Sequence, residues 1–211
     1  GPRSIESVHD RLALVGHSEH GVVTVLDAAT SRIRAELDRF EQPRYAAVHP
    51  RRPLAYVTDS AAEEVVVVDA EHGRVRGRAR VPGPARHLSI SPDGSTLWAV
   101  LGNAAPRIAV LDTSDPLRPR LERTIAPPFL AHDVVFGPDG RTVWVTSGDE
   151  RCIAIYSRER RPRRILAAGS PPQHVAFAQE KAFVAAGEDG TIRRHRLDGA
   201  RVGEARVPAR S

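Results

Sequence analysis

Residues Leu14 to Asp27 read LVGHSEHGVVTVLD and residues Tyr56 to Asp69 read YVTDSAAEEVVVVD, and the two align without a gap at a shift of 42. A second mark recurs on the same period, a Pro turn followed by an apolar and aromatic run. It is HPRRPLAYV ending at Val57, SPDGSTLWAV ending at Val100 and GPDGRTVWV ending at Val145, with turn prolines Pro50, Pro92 and Pro138 spaced 42 and 46 apart. A fifth copy, HVAFAQEKAFVAAG, has lost the Pro-Asp-Gly turn and keeps the flanking strands. An internal period of about 40–45 residues with four strands per repeat marks propeller blades.

Within the second repeat the strand-like runs are Arg44–His49, Leu54–Asp59, Glu64–Asp69 and Arg74–Val81, separated by turn signals. Pro-Asp-Gly suits a tight turn because Pro pre-sets φ and Gly accepts a positive φ. Val, Ile and aromatic residues fill the runs, as a half-buried pleated surface requires. An aromatic column, Tyr56, Trp98, Trp144 and Phe183 with Leu14 in the first repeat, falls on the second strand and is expected to pack between neighbouring blades. The first repeat supplies strands two to four, with Ser4–Val8 as its first strand. The expected fold is therefore an all-β propeller of four-stranded antiparallel blades, about five of them, in a single domain. Approximate blade bounds are 4–42, 43–83, 84–129, 130–170 and 171–211.

Composition narrows the class further. The 211 residues are 41% hydrophobic and 27% charged, enough for a real core with an ordinary surface. No run approaches the roughly 18 apolar residues of a membrane span, so no span is expected. No Met occurs anywhere, so the chain is expected to start after a processing event, with Gly1-Pro2 readable as a protease scar. The single Cys152, in the run CIAIY, excludes an internal disulfide or a Cys-rich zinc site and is expected to be a small buried hydrophobe. Net charge is +5 with a pI of about 10.2, but Lys181 is the only Lys. Abundant Arg with abundant Ala points to base composition as strongly as to an anionic partner.

The runs AYVTDS, VVVVDAEHGRV and ARHLSISPDG resemble the YVTN-type, WD40-like propeller repeats of exported and surface bacterial proteins. The resemblance covers almost the whole chain. It implies a secreted, periplasmic or cell-surface setting and usually a seven-bladed ring, whereas about five blades are visible here. A five-bladed ring, a truncated chain and one part of a larger assembly all fit that count. The resemblance does not carry a function, because propellers host many unrelated activities.

The up-down strand order brings the leading residues of first strands and the second-to-third hairpins to the same end of each blade. Set five residues before each turn proline, the leading column reads Tyr45, His87, Asp133 and His174, with Arg86, His132 and Gln173 immediately before three of them. These are expected at the mouth of a central channel. The first repeat adds His17, Ser18, Glu19 and His20, and later hairpins add Asp59, Asn103, Asp149, Glu150, Glu188 and Asp189. Tyr45, Arg86, His87, His132, Asp133 and His174 are the candidate ligand-binding residues. His17, His20, His87 and His174 are the candidate metal donors, since imidazoles with carboxylates suit Zn, Fe, Cu or Ni.

Gly83-Pro84-Ala85-Arg86-His87-Leu88 followed by Ser91-Pro92-Asp93-Gly94 also resembles a motif of seven-bladed lactonases. In that family the Arg before His and a Glu in an Asn-Glu pair after the second strand belong to the active site. Arg86 and His87 match apart from the inserted Ala85, whereas Ala99-Val100-Leu101-Gly102-Asn103 supplies no Glu.

No nucleophile elbow, phosphate-cradling Gly loop, dinucleotide fingerprint or Cys-x-x-Cys-His haem attachment is present. The basic run Arg158-Glu159-Arg160-Arg161-Pro162-Arg163-Arg164, with Arg193, Arg194 and Arg196 one repeat later, falls in fourth-strand and connecting positions without interleaved aromatics. It reads as a solvated rim and argues against a nucleic acid partner. The expected function is a non-enzymatic binding or scaffold propeller engaging a protein or small ligand at a His-rich mouth. A lactonase-like or metal-dependent hydrolase and a haem or metal cofactor carrier are the alternatives, and no cofactor is identified.

Overall fold

The computed structural model describes residues 2–157, 161–186 and 189–207. It is all-β. Among the described residues twenty strands form five four-stranded antiparallel sheets, each in simple chain order. Blade 1 is β1 (Ser4–Val8), β2 (Leu12–His17), β3 (Val22–Asp27) and β4 (Ile33–Leu37). Blade 2 is β5 (Pro43–Val48), β6 (Leu54–Asp59), β7 (Glu64–Asp69) and β8 (Arg74–Arg80). Blade 3 is β9 (Leu88–Ile90), β10 (Thr96–Val100), β11 (Ile108–Asp112) and β12 (Arg120–Ile125). Blade 4 is β13 (Asp133–Phe136), β14 (Val143–Thr146), β15 (Cys152–Tyr156) and β16 (Arg164–Ala167). Blade 5 is β17 (Pro172–Ala178), β18 (Lys181–Ala186), β19 (Thr191–Arg196) and β20 (Arg201–Arg206). The fold is a β-propeller of four-stranded antiparallel blades. Among the described residues no helix is long and apolar enough to cross a membrane.

The chain divides into two compact units, one of 1–101 with 109–123 and one of 102–108 with 124–211. The first holds blades 1 and 2 and most of blade 3; the second holds blades 4 and 5.

In the first unit, alternation along each strand sends successive side chains to opposite faces, so every blade offers an apolar face to each neighbour. Leu14, Val23 and Val25 of blade 1 pack on Ala55, Val57, Val66 and Val68 of blade 2. The other face of blade 2, with Tyr56, Val65 and Val67, packs on Leu97, Ala109 and Leu111 of blade 3. Tyr56 is fully buried, and its hydroxyl donates to the Pro116 carbonyl at 3.2 Å. Beside it, Gly77 in β8 leaves room for the blade 3 loop, since a Cβ there would collide with the Leu117 carbonyl oxygen. In the second unit Trp144 does the work of Tyr56, packing on Val175, Ala182 and Val184 of blade 5. The aromatic column thus packs between blades at Tyr56 and Trp144.

The Pro-Asp-Gly turns close as their chemistry requires. Asp93 Oδ1 accepts the Ser95 N–H at 3.0 Å, Asp139 Oδ1 accepts those of Arg141 and Thr142 at 3.0 Å each, and Gly94 and Gly140 sit at φ +78° and +63°. Blade 5, lacking this motif, turns on Gln179 and Glu180, both in the left-handed region at φ +47° and +55°.

Fourth strands are the exposed ones, charged on the open side. Arg164, in β16, is exposed. Arg193, Arg194 and Arg196 lie on β19, the third strand of blade 5, rather than in the fourth-strand and connecting positions expected from the sequence. Of these, Arg194 and Arg196 are exposed, while Arg193 is buried and pairs with Asp189 at 2.5 Å, so it is not part of a solvated rim. Residues 158–160 of the basic run, and Glu188, lie outside the described residues. Cys152 is half-buried rather than enclosed, being the first residue of β15.

Candidate functional site

The leading residues of first strands are re-aimed by backbone irregularities. In β5 the register slips between Pro43 and Ala46, so Arg44 and Tyr45 stand opposite Thr58 alone. Thr58 Oγ1 accepts the Tyr45 N–H at 3.1 Å and donates to the Tyr45 carbonyl at 3.2 Å, filling the gap that the bulge opens. In β17 the register slips again between Pro172 and His174, leaving Gln173 as the extra residue. A bulge adds twist and turns a side chain off the strand's alternation, which is why such irregularities collect beside sites.

In the first unit the sequence-predicted residues Tyr45, Arg86 and His87 come together. The Tyr45 and His87 rings stack at 3.9 Å between centroids with 28° between planes. The Arg86 guanidinium carbon lies 5.9 Å from the Tyr45 ring centroid, within reach of a cation–π contact. Arg44, which sequence reasoning missed, belongs to the same cluster. It is half-buried, and burial first, then the charges of Arg86 and Arg3, push its pKa below the ordinary arginine value. The signal that finds it is the repeat itself, since Arg44 and Arg86 stand one 42-residue period apart, as do Tyr45 and His87.

In the second unit His132, Asp133 and His174 come together. Asp133 is buried, with Oδ1 accepting the Val134 N–H at 2.8 Å and Oδ2 facing His174 Nδ1 at 3.2 Å. That hydrogen bond is the main reason the His174 pKa is raised, against the opposing effect of burial. His132 Nδ1 lies 3.1 Å from the Asn103 carbonyl oxygen. Carbonyl and carboxylate oxygens only accept, so each ring donates from Nδ1 and, when neutral, carries its lone pair on Nε2. The two rings are 5.4 Å apart and tilted by 53°, and each offers a nitrogen within 4.8 Å of the other's. Gly148, at φ +75°, lets the chain pass the His132 ring, where a Cβ would collide. Gln173 does not join the imidazoles as a ligand group; its Nε2 donates to the Gly148 carbonyl at 2.7 Å and braces that turn.

The hairpin residues behave differently. His17 Nε2 lies 3.1 Å from Thr24 Oγ1, and His17 and His20 line a groove on the face of blade 1 turned away from blade 2, with Val15, Val22, Leu26 and Ile33. Among the described residues neither is part of a group of three candidate metal donors. Asp59 is fully buried and accepts the Glu41 and Gln42 N–H groups at 2.9 and 2.7 Å, so it fastens the connection between blades 1 and 2. Glu150 accepts the Leu130 N–H at 3.1 Å. Asp189 accepts from the Thr191 hydroxyl and N–H and pairs with Arg193, and the Thr191 hydroxyl first, then Arg193, hold its carboxyl down to about 2. These acids do structural work.

No protein-family model matches the sequence, and no curated protein matches it. Solved structures match the fold. The chain is similar to hydrazine synthase of Kuenenia stuttgartiensis, with a TM-score of 0.78 and 21% identity, covering 93% of this chain and 63% of that one. It is similar to streptogramin B lyase, with a TM-score of 0.80 and 14% identity, covering 99% of this chain and 70% of that one. The chain thus spans less than two thirds of the hydrazine synthase chain. At these identities the likeness shows the β-propeller fold.

Proposed function

We propose that this protein is a binding propeller that takes a ligand on the imidazoles of His132 and His174. The observation that carries the reading is the pair of Nδ1 hydrogen bonds, to the Asn103 carbonyl and the Asp133 carboxylate, which fix both rings in one tautomer. Imidazoles oriented this way are the usual donors to transition-metal ions and suit equally a ligand that presents hydrogen-bond donors. Rigidity at the strand heads lowers the ordering cost of capture.

Zinc or nickel titration of tag-free protein tests the metal branch, and proton chemical shifts of the two rings with a small-molecule panel test the other. His132→Ala and His174→Ala are each expected to abolish capture while leaving the melting temperature nearly unchanged. Asp133→Asn is expected to weaken metal capture by about 10–100-fold, the usual effect of losing an outer-sphere partner. A large fall in melting temperature in both alanine variants, or capture that survives them, contradicts the reading. The extracytoplasmic setting implied by the repeats is part of the same proposal and rests on that resemblance.

One observation favours an enzymatic reading. Arg86, beside the Tyr45–His87 stack, could polarise a lactone carbonyl, and the similarity to a structure titled a lyase lends it some support. Turnover across a panel of simple lactones that disappears in Arg86→Gln would favour it; no turnover by folded protein removes it.

A further inference from the structure

Several first-unit arginines answer to a carboxylate. Arg78 meets Glu64 at 2.9 Å, Arg76 meets Asp69 at 3.6 Å, Arg120 meets Asp112 at 3.2 Å and Arg3 meets Glu19 at 3.3 Å. Arg44 and Arg86 do not. Among the described residues neither has an acidic partner, and the Nε of each is buried with no hydrogen-bond acceptor. Both are half-buried at the heads of adjacent first strands, Arg44 within the β5 bulge and Arg86 two residues before β9. Tyr45 lies beside both, next to Arg44 in the chain and with its ring facing Arg86.

Holding like charges near each other while stripping their water is unfavourable, and a fold that tolerates it commonly compensates with an opposite charge. Among the described residues neither arginine has an acidic partner to do so. The guanidinium is the side chain best matched to planar oxyanions, which it grips through paired N–H groups even when partly desolvated. A compact pair of guanidiniums, one of them held against the Tyr45 ring, suits a small molecule rather than a polymer backbone.

We propose that Arg44 and Arg86 form an anion-binding site for a small carboxylate- or phosphate-bearing ligand, with the Tyr45 ring supporting the Arg86 guanidinium. This site is separate in residues and chemistry from the imidazole pair, and it stands or falls without it.

The test is calorimetry and thermal melting of tag-free protein at low ionic strength, with malonate, with inorganic phosphate, and with chloride at matched ionic strength. Malonate or phosphate is expected to bind saturably and raise the melting temperature, chloride is not, and the tighter binder assigns the ligand class. Arg44→Gln and Arg86→Gln are each expected to weaken that binding by at least about tenfold, whereas Arg120→Gln leaves it unchanged. Without ligand, both glutamine variants are expected to melt at or above the parent temperature, because each removes one of two unpaired like charges. Three results overturn the proposal. These are no saturable binding of either anion at millimolar concentration, equal binding by the glutamine variants, or a sharp fall in their ligand-free melting temperature.

Discussion

At His49 the ring accepts the Arg51 N–H through Nδ1 at 3.1 Å, which only a neutral imidazole can do. Burial is the main cause that lowers the His49 pKa, with the Arg52 and Arg51 charges adding to it, and burial likewise lowers that of His195. A base whose folded value lies below its unfolded one binds more protons when unfolded. Stability is therefore fully present above about pH 6.5 and is lost as pH falls through the folded values. His174 has the opposite sign, since its raised value favours the fold at low pH, but its side chain is 57% exposed and the solvent screens that contribution. The melting temperature is expected to fall between about pH 6.5 and pH 5, and to fall less in His49→Gln. A flat profile over that range would show that neither ring is held neutral. At this scale the sequence was only partly legible. Asp133 and His174 stood out in the leading column, with His132 immediately before Asp133, yet nothing in the string shows that Asp59, in a hairpin, is a buried fastener while Asp133 orients an imidazole.

Among the elements, turn chemistry and blade packing give the sharpest expectations. Gln179 and Glu180 both hold a conformation that disfavours side chains with a Cβ. Replacing the pair with Asn-Gly, which suits a two-residue hairpin, is expected to raise stability by about 1 kcal/mol, read by chemical denaturation. Gly77→Ala drives a Cβ into the Leu117 carbonyl and is expected to cost about 1–3 kcal/mol, whereas an alanine at exposed Arg80 should cost almost nothing. Equal effects at the two positions would mean the blade 3 loop yields freely. The strands of blade 2 were legible to within a residue, because β-branched and aromatic runs punctuated by Pro and Gly leave little choice. The bulges were not. A register slip at Arg44 and Tyr45 leaves no mark in composition and follows from how β5 meets β6 in space.

For the molecule as a whole, the period of 42 explains both the success and the limits of the sequence reading. Stacked repeats place equivalent positions of adjacent blades side by side, so residues one period apart become neighbours: Tyr45 with His87, His132 with His174. The five four-stranded sheets follow from the same repetition. The division into two compact units does not, because it depends on how densely particular blades touch. Nor does the repeat say which heads carry chemistry, since that is set by what each ring nitrogen faces. The central claim, that Asn103 and Asp133 present the Nε2 lone pairs of His132 and His174, is tested most directly by nitrogen-15 NMR of the imidazoles in metal-free protein, at a pH high enough to keep both rings neutral. The account predicts that both rings carry their proton on Nδ1. A proton on Nε2 of either ring, or averaging between the two nitrogens, would contradict it.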